Sequence, residues 1–207
     1  SDSSGVVAVH APEAAAARCA AHLQAHWRNG KLPLRHSAAF GYATYGKTLS
    51  DHDASQQATH TLLLTNTLLP LARDELPGFG EIEEFLIAWL HDTHGIVVEC
   101  YFAHGLRQSP LTLKSTGFDV HQDVEDFPFI EYTVVVKLTP DVPGEAPSQM
   151  RVVGAQRYFQ YGAPAGSAGA FRARVFHASV EPAADTSEHL KIAFFFRASS
   201  KGERRAK

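Results

Sequence analysis

The sequence predicts an α+β fold in which helices come first and an antiparallel jelly roll follows. Apolar residues recur with helical period up to residue 95 and with period two after it. Leu, Ile, Val and Phe make up about a quarter of the 207 residues, enough for a packed core. Roughly seven or eight short strands, separated by turn-rich stretches, suit two packed sheets better than one open sheet. The length fits one domain, with residues 1–95 as a helical support region, 96–197 as the jelly-roll core and 198–207 as a basic tail.

Pro12 followed by Glu13 opens the first helix; Ala16, Cys19, Ala20, Leu23 and Trp27 recur at helical spacing until Gly30 closes it. A second helix starts near Asp53, where Asp53 and Gln56 stand at capping-box spacing. Its stripe is Leu64, Leu68, Leu71 and Ala72, and Pro70 kinks or ends it. The third helix carries Ile82, Phe85, Leu86, Trp89 and Leu90 on one face. Glu81, Glu83 and Glu84 fall in its first turn, where the helix dipole favours acids. After Gly95, residues 96–102 are β-branched and aromatic, and residues 118–123 make a short strand. In 129–138, Ile130, Tyr132, Val134, Val136 and Leu138 alternate with Glu131, Thr133, Val135 and Lys137. Segments 150–153, 157–161, 171–177 and 191–196 complete the strands, with turns at 139–148 and 162–169.

Composition removes several classes. The longest unbroken apolar run, residues 85–90, is far short of the roughly 20 residues a membrane helix needs. Two cysteines, Cys19 and Cys100, make no disulfide scaffold; they point to a reducing compartment, cytoplasmic or nuclear, and read as core thiols. No basic, apolar leader opens the sequence. A net charge of −3 offers no strongly basic surface, which weakens a nucleic-acid reading despite the tail's Lys201, Arg204, Arg205 and Lys207. No phosphate-binding Gly loop and no Ser nucleophile elbow are present.

The chemistry concentrates at His121-Gln122-Asp123. Residues i and i+2 of a strand share a face, so this His-x-Asp presents an imidazole and a carboxylate to one point. A third ligand is found at His177, which ends the row Phe171, Ala173, Val175 on one face of its strand. Two histidines and one carboxylate leave three positions of an octahedral metal open, the geometry of non-haem Fe(II) oxygenases. On strand 191–196, Lys191 shares a face with Ala193, Phe195 and Arg197; a cation heading an apolar row is costly unless it meets water or an anion. His22 and His26 read as surface residues, and His91 and His94 as favourable charges at a helix C-terminus.

Val120-His121-Gln122-Asp123, then Ala170-Phe171 through His177-Ala178-Ser179, then Leu190 through Phe195, resembles the double-stranded β-helix, a jelly-roll or cupin-like core, of Fe(II)/2-oxoglutarate-dependent dioxygenases. The resemblance spans roughly residues 96–197, about half the chain. His-Ala-Ser followed by a Lys strand is most similar to the prolyl-4-hydroxylase branch. It implies a hydroxylase using Fe(II), 2-oxoglutarate and O2, with ascorbate as an optional reductant, and releasing succinate. It implies His121, Asp123 and His177 as metal ligands and Lys191 as the anchor for the distal 2-oxoglutarate carboxylate. The spacing departs from the family: Lys191 follows His177 by 14 positions, where about ten is usual. Lys137 and Arg197 therefore stand as rival anchors, with Tyr101 and Thr133 as hydroxyl donors to the same carboxylate. Asp126 completes His-x-Asp-x-x-Asp, similar to TET-type 5-methylcytosine dioxygenases, where that position contacts the flipped base; an Asp opening the turn before Pro128 is the favoured explanation. A non-catalytic jelly-roll binding module is the remaining alternative. The substrate, a protein side chain or a small molecule, is not encoded in any motif.

Overall fold

The computed structural model describes residues 5–28, 61–64, 69–108, 120–125, 127–153, 157–180 and 187–199. Strand β1 (Val6–His10) leads into helix α1 (Glu13–Arg28). Strand β2 (Thr61–Leu64) precedes α2 (Leu69–Glu75) and α3 (Phe79–His94). Then come β3 (Val98–Gln108), β4 (Ile130–Lys137), β5 (Gln149–Val152), β6 (Arg157–Gln160), β7 (Ser167–Arg172), β8 (His177–Ser179) and β9 (His189–Ala198). Among the described residues the strands form a six-stranded antiparallel sheet, ordered β1-β7-β4-β9-β3-β2, and a three-stranded one, ordered β6-β5-β8.

The two faces of the larger sheet are used differently. One face packs on the helices: Ala16, Cys19 and Leu23 of α1 and Phe79, Ile82, Leu86 and Leu90 of α3 share a core with Val134, Val136, Ile192, Phe194 and Phe196. Each fully buried Leu or Phe there contributes about 1.5–3 kcal/mol. The other face looks across at the small sheet, where Val6 and Phe171 pack with Met150, Val152 and Tyr161. Helix α3 ends at Gly95, whose φ of 67° lets its N–H reach the His91 carbonyl at 2.8 Å. Among the described residues no helix is long and apolar enough to cross a membrane.

Strand β9 alternates without interruption: Ile192, Phe194 and Phe196 face the helices, and Lys191, Ala193 and Phe195 face inward. Both of its neighbours are irregular at the same level. The β3–β9 register shifts between Cys100 and Phe102, and the β4–β9 register shifts between Ile130 and Tyr132. Cys100 and Tyr132 consequently lie in the helix-side core, while Phe102 and Ile130 lie in the interior cluster with Ala193 and Phe195. An extra residue in one strand of an antiparallel pair has this effect.

Several sequence expectations need correction. The region before residue 95 is not purely helical: β1 and β2 are the two edge strands of the large sheet, paired with β7 and β3. The expected second helix is strand β2 and then α2, with residues 53–60 outside the described set. Pro70 sits in the first turn of α2, where its missing N–H is harmless, and kinks nothing. The strand expected over 171–177 is broken. Strand β7 stops at Arg172, residues 173–175 turn, and β8 starts at His177. Part of the turn expected over 162–169 belongs to β7. His121 makes one isolated bridge with His177, and Asp123 lies in the turn beyond it, not on a strand.

Candidate metal centre and its pocket

His121 and His177 are brought together by their backbones. Each N–H donates to the other's carbonyl at 3.0 Å, so the two imidazoles leave the chain at one level, with ring centroids 4.5 Å apart. The turn after His121 swings Asp123 back: its Oδ1 lies 3.5 Å from His121 Nε2 and 3.8 Å from His177 Nε2. One ligand atom from each of these three residues lies within 4.8 Å of the others, and theirs is the only such group of three among the described residues. The carboxylate–imidazole separations are long for hydrogen bonds.

The donor set fits a divalent transition metal. His177 Nδ1 lies 2.9 Å from the Val175 carbonyl, an acceptor, so Nδ1 carries the proton and Nε2 keeps its lone pair for a metal. Burial lowers the His177 pKa, opposed by the neighbouring Asp123 charge, which favours the neutral, ligating form. Asp123 is 7% exposed and accepts at Oδ2 from Thr133 Oγ1 at 2.5 Å, leaving Oδ1 toward the histidines. Two imidazoles and one carboxylate oxygen suit Fe(II) better than Ca(II) or Mg(II), which prefer all-oxygen shells.

The group opens on an inward cavity. Val135, Ala193 and Phe195 form its apolar wall, and among the described residues Lys191 is the one Lys or Arg lining it. Lys191 is 5% exposed, and its ammonium stands over the Tyr161 ring at 4.7 Å. Among the described residues no anion is hydrogen-bonded to it. Burial first, and then the cross-strand Lys137, push its pKa down to about 7, with Asp141 opposing.

The other candidates of the sequence reading lie elsewhere. Lys137 is fully buried but committed: its Nζ donates to Asp141 Oδ1 at 2.6 Å and to the Ala163 carbonyl at 3.0 Å, and it does not line the cavity. Arg197 pairs with Glu99 at 2.7 Å, stacks on Tyr101 and does not line the cavity. Tyr101 occupies the irregular position of β3; it packs on Phe129 and Arg197 and does not line the cavity. Thr133 lines the cavity, but its hydroxyl is spent on Asp123. Asp126 lies outside the described residues.

Sequence reasoning missed His104 and Tyr161, both of which line the cavity. Burial lowers the His104 pKa to about 4, so its imidazole is neutral near pH 7. Tyr161 is 4% exposed; its hydroxyl donates to the weak acceptor Met150 Sδ at 3.9 Å, and burial raises its pKa. Tyr161 follows a four-residue strand and carried no local signal. Alternation counted from Ile96 puts His104 on the wrong face, because Tyr101 is an extra residue that interrupts the count.

No protein-family model and no curated protein matches the sequence. Solved structures do. A viral collagen prolyl hydroxylase from Paramecium Bursaria Chlorella virus-1, in its 2OG complex, is 12% identical over 96% of this chain and 98% of its own, with a TM-score of 0.57. A Trichoplax adhaerens prolyl hydroxylase, in complex with a hypoxia inducible factor oxygen degradation domain peptide fragment, is 11% identical over 100% and 89%, with a TM-score of 0.59. The non-heme alpha ketoglutarate dependent carbocyclase SnoK from nogalamycin biosynthesis is 14% identical over 94% and 79%, with a TM-score of 0.59. At such identities the likeness shows the fold: this chain has the α+β double-stranded β-helix architecture of the 2-oxoglutarate- and Fe(II)-dependent oxygenases, with a His-Asp-His group inside it.

Proposed function

We propose that the protein is an Fe(II)- and 2-oxoglutarate-dependent oxygenase that hydroxylates a C–H bond of a protein side chain or small molecule. One observation carries the reading: a His-Asp-His donor group and a buried lysine that no described carboxylate hydrogen-bonds line the same cavity. In this reading His121, Asp123 and His177 hold the metal. Lys191 receives the distal carboxylate of 2-oxoglutarate, which relieves a buried charge. The Tyr161 hydroxyl is the nearby donor to the same carboxylate, the role expected of Tyr101. Val135, Ala193 and Phe195 keep water from the chain between the carboxylates. When bound, Fe(II) and 2-oxoglutarate supply O2 activation coupled to decarboxylation, with succinate and CO2 as products and the substrate C–H bond oxidised. The solved neighbours include prolyl hydroxylases and a carbocyclase, so fold likeness does not choose between peptide and small-molecule substrates.

The test is succinate formation from 2-oxoglutarate under O2, with and without added Fe(II). The wild type forms succinate only with Fe(II), and His121→Ala forms none and loses Mn(II) binding. A wild type that binds neither metal nor 2-oxoglutarate leaves the non-catalytic binding module as the better account.

A further inference from the structure

We infer that Thr133 is a positioning residue that holds Asp123 to a single ligating oxygen, an inference that rests on the metal-centre reading above. Asp123 sits in a turn closed by the Phe127 N–H donating to its carbonyl at 3.2 Å, a backbone contact that does not itself orient the carboxylate. Thr133 is on β4, whose neighbours β7 and β9 place Phe171 and Phe195 opposite it. It is 1% exposed, β-branched and stiff about χ1. Its one hydroxyl proton goes to Asp123 Oδ2 at 2.5 Å, in the range of strong charge-assisted bonds. The strand residue therefore orients the carboxylate carried by the turn.

The consequence is a coordination number. With Oδ2 engaged by Thr133, Asp123 offers only Oδ1 to the point where the two Nε2 atoms converge. An octahedral metal held by those three atoms keeps three positions, enough for a two-point chelator and one further ligand. Without the hydroxyl, Oδ2 is a buried acceptor with no donor, and the carboxylate gains by swinging both oxygens onto the metal, which closes one of the three positions.

Thr133→Val keeps the shape and removes the donor; Thr133→Ser keeps the donor. Mn(II) affinity by calorimetry and the visible absorption band of the Co(II)-loaded protein are compared, with metal-free melting curves reading the fold. Thr133→Val is expected to show a changed Co(II) band, as the second carboxylate oxygen raises the coordination number, and to shift Mn(II) affinity by about tenfold or more. Thr133→Ser is expected to restore both. Thr133→Ala takes the place of the Val variant if that does not fold. A folded variant without the hydroxyl that keeps wild-type Mn(II) affinity and Co(II) band overturns the inference, as does a Ser variant as altered as Val. Wild-type protein that binds neither Mn(II) nor Co(II) overturns the metal centre itself, and the inference with it.

Discussion

In the proposed function one side chain, Lys191, sets both cosubstrate binding and its pH dependence. Its ordinary pKa is near 10.4, and the pocket lowers it to about 7. Below pH 7 the ammonium is present in the folded protein. Above it the free protein has lost that proton, and binding a dicarboxylate must take one up. Apparent 2-oxoglutarate affinity is therefore expected to be flat below about pH 7 and to fall by up to tenfold per pH unit above it. The fold itself responds with the opposite sign. Between the lowered and ordinary pKa values the unfolded chain binds more protons, so stability without ligand rises with pH. Lys191→Met should flatten both profiles and weaken 2-oxoglutarate binding by about 10- to 100-fold, readable by calorimetry across pH. A Lys191→Met protein with unchanged affinity would move the anchor elsewhere. At this scale the sequence was informative where chemistry repeats at short range: His121 and Asp123 are two apart, and Lys191 heads an apolar row. It was silent on Tyr161, whose place over Lys191 depends on two strands from different sheets.

Whole elements were legible in proportion to how local their stabilisation is. Helix α3 and strands β4 and β9 show their buried faces in periodicity alone, and the structure buries Ile82, Leu86, Leu90, Val134, Val136, Phe194 and Phe196 accordingly. Strands β1 and β2 escaped because each is short and pairs with a strand far along the chain, Val6 with Phe171 and Leu63 with His104. The break after Arg172 escaped because Phe171, Ala173 and Val175 imitate alternation through a turn. Helix–helix contact imposes a sharper demand at Gly78. Its φ is 84°, and a Cβ there would lie 2.2 Å from the Ala15 carbonyl oxygen of α1. Gly95 has a similar φ of 67° with nothing within 4 Å. Gly78→Ala must both strain its backbone and push α1 away, and is expected to lower the melting temperature by roughly 3–10 °C. Gly95→Ala bears the strain alone and should lower it less. Equal effects in a thermal melt would show that the α1 contact yields freely.

At the scale of the molecule, the helices and the metal-centre candidates occupy opposite faces of one sheet. Residues alternate between the two tasks: Phe194 packs against Phe79 with ring centroids 5.2 Å apart, and its neighbour Phe195 lines the cavity. The general plan, helices backing a jelly roll, followed from the change of period near Gly95. The inner face did not follow, because the strands flanking β9 do not keep one phase along their length.

That irregularity implies an unusual tolerance. On β3, Cys100 stands opposite Phe196 and Phe102 opposite Phe195, so Tyr101 is a supernumerary residue. Excising Tyr101 would leave consecutive partners on both strands, and Phe102, His104 and Leu106 would still look inward. Excising Ala103 would turn every residue on one side of the gap to the wrong face. A Tyr101-deleted protein is expected to fold and bind Mn(II), and an Ala103-deleted one to do neither, as melting curves and metal titration would show. The strand thus contains one removable link, and the phase of the cavity wall does not depend on it.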